Sequence, residues 1–142
     1  MRRIASFRKR PQGLRFAATV IACLAVTPAF AAEETVDQTI CRLIEGAAKK
    51  HDLPPLFFTR LIWRESSFRP GVTSPKGAQG IAQFMPGTAK EQGLEDPYDP
   101  EAAIPASARY LVSLKNQFGN LGLAAAAYNA GPARLARWLE KG

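Results

Sequence analysis

At 142 residues, 46% of them hydrophobic, the chain has room for one domain with a real core and little else. Its formal net charge of +7 points by itself to nucleic acid or an anionic surface, yet Arg2, Arg3, Arg8, Lys9, Arg10 and Arg15 all precede residue 16 and no acid occurs before Glu33. Without those six, 13 basic residues face 12 acidic ones, a balance of +1, and the charge gives no ground for a nucleic-acid partner.

The basic start runs into an apolar stretch over residues 16–26 and then into Ala29-Phe30-Ala31, the small-x-small pattern that a signal peptidase accepts. This is the three-part layout of a secretory signal peptide, and the apolar run is short for a bilayer-spanning helix. The expectation is a signal peptide over residues 1–31, cleaved after Ala31, which exports residues 32–142 into a bacterial periplasm. Arg2-Arg3 does not develop into a twin-arginine pattern. Val20-Ile21-Ala22-Cys23 loosely fits a lipoprotein signal, with lipid anchoring at Cys23 as the alternative, but Leu24-Ala25-Val26 stays apolar where such a signal turns polar. After cleavage Cys41 has no partner for a disulfide. Its neighbours Ile40, Leu43 and Ile44 predict a buried small hydrophobe.

From Val36 to Lys50, apolar residues recur at Val36, Ile40, Leu43, Ile44 and Ala47, and Lys49-Lys50 sit at the favourable end of the helix this predicts. Asp52-Leu53-Pro54-Pro55 breaks it, and Pro55 suits the first turn of the next helix. On a wheel of that second helix Phe57, Phe58, Leu61 and Ile62 form one stripe, with Glu65 in its middle. A lone carboxylate on an apolar face near a helix C-terminus is either paired with a cation such as Arg64 or Arg69, or resists ionising. Desolvation and the helix dipole both favour the neutral acid. Such a group is what general acid catalysis requires.

Between Ser67 and Pro86 the helical period disappears, and Pro70, Gly71, Pro75, Gly77, Gly80 and Pro86 punctuate a loop of defined turns. Ile81, Phe84 and Met85 are too apolar for a wholly exposed loop, so the segment is expected to pack on the Glu65 helix as one wall of a cleft. A short helix over residues 86–92 ends at Gly93. The acid- and proline-rich turn that follows leads into a longer helix from Glu101 to Phe118, with Pro105 tolerated in its first turn. A small-residue helix, Gly122 to Ala130, ends at Gly131. Pro132 restarts a last amphipathic turn or two through Leu135, Trp138 and Leu139. With no convincing strand or repeat, the prediction is an all-α domain with an irregular loop wall over the cleft.

Three patches carry the chemistry: Glu65-Ser66-Ser67-Phe68, the stretch from Ser74-Pro75-Lys76-Gly77-Ala78 to Gln83-Phe84-Met85-Pro86, and Ala127-Tyr128-Asn129-Ala130-Gly131. In this order and spacing the chain closely resembles the catalytic domain of the soluble lytic transglycosylases, relatives of goose-type lysozyme. The resemblance implies a lysozyme-like helical fold and non-hydrolytic cleavage of the MurNAc–GlcNAc β-1,4 bond of peptidoglycan, leaving a 1,6-anhydro-MurNAc end. It implies that Glu65 acts first as acid and then as base, with the substrate's own N-acetyl oxygen in place of a second carboxylate. By the same resemblance Ser74 lies near the N-acetyl group, Gln83 and Met85 line the glycan groove, and Tyr128 and Asn129 flank the catalytic acid. Each also has a plainer role: Ser74 in its turn, Met85 as filler, Tyr128 as a buried aromatic with a backbone partner. Asn129 and Gln83, amides inside apolar runs, need partners in any case.

Glu95, Asp96, Asp99 and Glu101 are the only other acidic cluster, and among prolines they read as turn and cap residues. His51 is the only histidine, so no metal site is suggested, and no cofactor is implied. Family members usually continue past the last patch with a further helical segment, often bearing another tyrosine. This chain is short there, as a fragment or as a relative with a more open cleft. The expected partner is the glycan strand, with an envelope-spanning machine as a second one, and the expected state is a monomer. The rival functions are a lysozyme-type hydrolase on the same fold and an inactive peptidoglycan-binding scaffold.

Overall fold

The computed structural model describes residues 33–142; the signal-peptide and Cys23 readings fall on residues 1–32, outside the described part. Six helices follow one another: α1 Val36–Lys50, α2 Pro55–Ser66, α3 Pro86–Glu91, α4 Pro100–Phe118, α5 Leu121–Ala130 and α6 Pro132–Leu139. Among the described residues β structure is limited to two isolated bridges, Thr73 with Gln79 and Gln79 with Phe84, so the all-α prediction holds. No helix of the described part is long and apolar enough to cross a membrane.

α1 begins with a reciprocal cap in which the Thr35 side chain accepts from Gln38 N–H while the Gln38 side chain accepts from Thr35 N–H. It buries Ile40, Ile44, Ala47 and Ala48. Cys41 is exposed, contrary to the expectation of a buried hydrophobe. On the wheel it falls about 100° from Ile40, just outside the stripe that Ile40, Ile44, Ala47 and Ala48 bury.

α4 is the central element, packed on α1 and α5, and it buries Ala103, Ile104, Ala106, Ser107, Ala108, Leu111 and Leu114. Small residues dominate this contact: Ala103, Ala106 and Ala108 of α4 and Ala124 and Ala127 of α5 all have no exposed surface. Without bulk between them, the two backbones approach closely, and the core stays dense. α4 starts at Pro100, with Asp99 as its cap, so Pro105 stands beyond the first turn and not within it. Its missing N–H deprives the Glu101 carbonyl of its helical donor, a cost that an N-terminal position would have avoided.

The segment between α2 and α3 fulfils the expectation of a packed loop. Ile81, Ala82 and Phe84 are buried to 2% exposure or less, while Met85 stays 44% exposed at the start of α3. Met85 therefore does not anchor the wall; Ile81 and Phe84 do. Backbone pairs Gln79 N to Phe84 O (2.9 Å), Phe84 N to Gln79 O (3.0 Å) and Gly80 N to Val72 O (2.9 Å) hold the turns. Gly80 (φ +73°) sits so close to the Pro97 carbonyl that no Cβ would fit, which ties the loop to the acidic turn before α4. α6 is short and buries only Leu135, leaving Trp138 65% exposed.

Candidate active site

The site is built from the last turns of α2. Phe58, Leu61, Ile62 and Ser66 take the buried positions, and Glu65 falls at the edge of the stripe, half-buried, where α2 borders a cavity. Directly after it the chain turns through two left-handed residues, Ser67 (φ 53°) and Phe68 (φ 61°). Side chains other than glycine adopt this conformation only when the surroundings fix it. Here Ser67 N–H donates to Trp63 O at 2.7 Å, Arg69 Nε donates to Ser66 O at 2.9 Å, and the Phe68 and Trp63 rings meet edge-on at 5.1 Å. The helix end that carries Glu65 is thereby fixed.

The carboxyl of Glu65 has neither an ion pair nor a hydrogen bond to another described residue, the one ion pair among these being Arg42 with Glu34. Burial pushes its pKa up from the ordinary carboxylate value, and the neighbouring Arg64 charge opposes that rise without cancelling it. Of the two alternatives open in the sequence, the geometry shows no pairing with a cation, and burial shifts the balance toward the protonated form.

Across from α2, α5 presents Ala125 and Asn129, one turn apart. With Phe57, Arg60, Leu61, Arg64 and Glu65 they enclose a cavity of about 390 Å³. Asn129 also lines a second, smaller cavity of about 180 Å³ together with Gln83, Met85, Tyr110 and Tyr128. Sharing Asn129, the two form one cleft that passes Glu65 and continues along the loop wall. Volume does not decide the matter, because a hollow of about 440 Å³ lies elsewhere, between α3 and the acidic turn. What distinguishes the cleft is the half-buried, unpaired acid within it, whose pKa is raised by burial.

Tyr128 staples the cleft. Its hydroxyl donates to Ala82 O at 2.8 Å, joining α5 to the loop, and its ring lies 5.4 Å from Tyr110 and 6.2 Å from Phe84. Burial, and then the nearby Glu65 charge, push the phenol well above its ordinary value, so it remains neutral. The Gln83 side-chain amide donates to Gly80 O at 2.9 Å and Val72 O at 3.3 Å, which leaves its carbonyl oxygen for the cavity it lines. Ser74 is not brought to either cavity of the cleft. Its Oγ accepts from Ala78 N–H at 3.0 Å and closes the turn around Pro75. Of the six residues singled out in the sequence, Glu65, Gln83, Met85, Tyr128 and Asn129 thus line the cleft. The same analysis missed Phe57, Leu61, Arg60, Arg64 and Tyr110. Phe57 and Leu61 lead to Glu65 in steps of four, a signal legible on the wheel; Tyr110 reaches the site from α4 and gives no local signal.

In the other acidic cluster two residues have structural roles: Asp96 Oδ1 accepts from Tyr98 N–H at 2.8 Å and Asp99 Oδ1 from Glu101 N–H at 2.9 Å.

Comparison with known proteins agrees with this geometry. The family model described as the transglycosylase SLT domain matches residues 42–142. The chain belongs to the SLT transglycosylase family. The soluble lytic murein transglycosylase of Escherichia coli K12 is 38% identical over 99 residues, which cover 62% of this chain and 15% of that protein. A solved lytic transglycosylase from Pseudomonas aeruginosa, an inactive Glu-to-Gln variant, superposes with a TM-score of 0.65 at 34% identity, over 71% of this chain and 18% of that one. The 70-kDa soluble lytic transglycosylase of E. coli gives 0.64 at 34% identity, over 70% and 18%. The fold is thus the lysozyme-like helical fold of this family, and the SLT chain described here spans a small part of the length of its full-size relatives.

Proposed function

We propose that this SLT domain is a peptidoglycan lytic transglycosylase, cleaving the MurNAc–GlcNAc β-1,4 bond and leaving a 1,6-anhydro-MurNAc end. The observation that carries it is the isolation of Glu65: half-buried, unpaired among the described residues, and the only acid lining its cavity. Protonated, Glu65 donates to the glycosidic oxygen as the bond to the anomeric carbon lengthens and that sugar gains oxocarbenium character. The carboxylate left behind takes the proton of the C6 hydroxyl, whose oxygen closes on the anomeric carbon. A retaining hydrolase needs a second carboxylate about 5 Å away. Among the described residues no second acid lines the Glu65 cavity, and the family resemblance implies that the N-acetyl oxygen of the substrate takes that role.

In this scheme Asn129, shared by the two cavities, hydrogen-bonds the sugars on either side of the scissile bond. The Gln83 carbonyl accepts from a sugar hydroxyl, and Met85 offers an apolar edge to a ring. Tyr128, its proton engaged by Ala82, fixes the wall beside Glu65. The P. aeruginosa relative, inactive with a Glu replaced by Gln, supports a mechanism resting on one carboxyl. The setting is the bacterial cell envelope, where such an activity serves wall turnover or opens gaps for an envelope-spanning machine.

Digestion of purified sacculi, with product masses read out, tests this. The anhydro product is one water lighter than the reducing-end product. Reducing ends would make the protein a hydrolase on the same fold; binding without cutting would make it a peptidoglycan-binding module.

A further inference from the structure

Arg60 and Arg64 have no part in the chemistry above, yet they stand one turn apart on α2 and line the same cavity as Glu65. Neighbours at this spacing lie about 6 Å apart at Cβ, close enough for one anion to engage both. The arginine side-chain hydrogen bonds among the described residues belong to Arg42 and Arg69, and the one ion pair there is that of Arg42 with Glu34. Two arginines thus line a concave surface with an apolar floor of Phe57 and Leu61, and neither forms an ion pair with Glu65, the one acid on it. A basic pair on a convex helix face is ordinarily just solvated; this one borders the cleft that holds the proposed acid.

We infer that Arg60 and Arg64 form an anion subsite beside Glu65, which takes a carboxylate carried on the muramyl residue of the bound strand. The inference rests on the peptidoglycan reading of the cleft. In a glycan strand only the muramyl residue bears charge: on its lactyl group where the peptide has been removed, on the stem where it is retained. Guanidinium groups bind carboxylates through paired, charge-assisted hydrogen bonds, so the subsite selects muramyl over N-acetylglucosaminyl units. Because the two sugars alternate, that choice sets the register: a slip of one residue withdraws the carboxylate and presents the wrong bond to Glu65. An anion on Arg64 also offsets the charge that opposes proton retention by Glu65, so the correct register favours the protonated carboxyl.

The test uses the full chain with Glu65→Gln, which separates binding from cutting, and three probes. These are a peptide-bearing glycan strand, the same strand stripped of its stems, and the neutral N-acetylglucosamine tetramer. Adding Arg60→Ala is expected to weaken binding of a carboxylate-bearing strand by about tenfold and to leave the tetramer unchanged, with Arg60→Lys recovering part of the loss. Arg64→Ala is expected to act in the same direction. A loss confined to the stripped strand identifies the lactyl carboxylate, one confined to the peptide-bearing strand identifies the stem, and a loss on both means that either suffices. Equal weakening for the neutral tetramer, or no weakening for either muramyl strand, overturns the subsite. Sacculus digestion by the unmodified chain is scored independently. Arginine-dependent binding without cutting sinks the lytic reading and keeps the subsite; cutting with arginine-independent binding does the reverse.

Discussion

Glu65 stands alone at the end of α2, half-buried and unpaired among the described residues, with burial favouring its protonated form. Glu95, Asp96 and Asp99 in the exposed turn before α4 and Glu101 in the first turn of α4 crowd together, and Asp96 and Asp99 accept backbone N–H groups. The functional group is the same in both regions and the outcome opposite. Backbone N–H groups engage the carboxylates of Asp96 and Asp99 in the turn, whereas burial at the apolar border of α2 penalises the ionised form of Glu65. Two acids at the surface build a cap and a prop, and one acid at the edge of the core is set up as a proton donor. The two regions still touch mechanically, through the Gly80 approach to Pro97 and the Thr73 to Tyr98 hydroxyl contact of 2.7 Å.

The largest effect is expected at Glu65. Glu65→Gln should lower turnover by about 10²- to 10⁴-fold, measured on sacculi, with strand binding retained. If the lone acid acts as proposed, turnover also falls as pH rises through its elevated acidity constant. Stability follows the same sign. The folded state holds this proton more tightly than the unfolded chain, so the contribution is full below the ordinary carboxylate range and is lost as pH rises through the folded value. Glu65→Gln should therefore be more stable than the parent at neutral pH, and the difference should shrink on acidification in urea unfolding. A parent as stable as the variant throughout would erase the contrast between the two regions.

Next comes the junction. Gly80→Ala forces a side chain into a left-handed position against the Pro97 carbonyl, and should cost on the order of 3 kcal/mol in urea unfolding, with turnover falling as the loop wall shifts. In the turn itself, Asp99→Ala removes the α4 cap and should cost about 1 kcal/mol, with turnover per folded molecule unchanged. A loss of turnover there without a loss of stability would give the turn a chemical role. Smallest of all, Tyr98→Phe deletes one exposed hydroxyl contact and should change stability by less than about 1 kcal/mol.

Much of this molecule was legible along the chain. The period of apolar residues and the Pro and Gly punctuation place α1, α2, α4 and α5 nearly where they stand, and the wheel already sets Glu65 among apolar neighbours. Three positions were misjudged for one shared reason. Cys41, Met85 and Pro105 each have neighbours that suit the prediction, but whether a position is covered, or falls past a first turn, depends on elements distant in sequence or on where a cap forms. Ser74 is similar, since its hydroxyl serves the turn around Pro75 and lies away from the cleft described here.

The sequence by itself determined that the chain is helical, where its loop lies, and that one carboxyl sits on an apolar face, because helix periodicity and turn chemistry are local. Only the tertiary structure decided that α5 faces that carboxyl across a cavity, that Tyr110 joins Tyr128 in the neighbouring one, and that Arg60 and Arg64 share the cavity of Glu65. Burial is settled by what packs from afar, and burial is what favours the protonated form of Glu65.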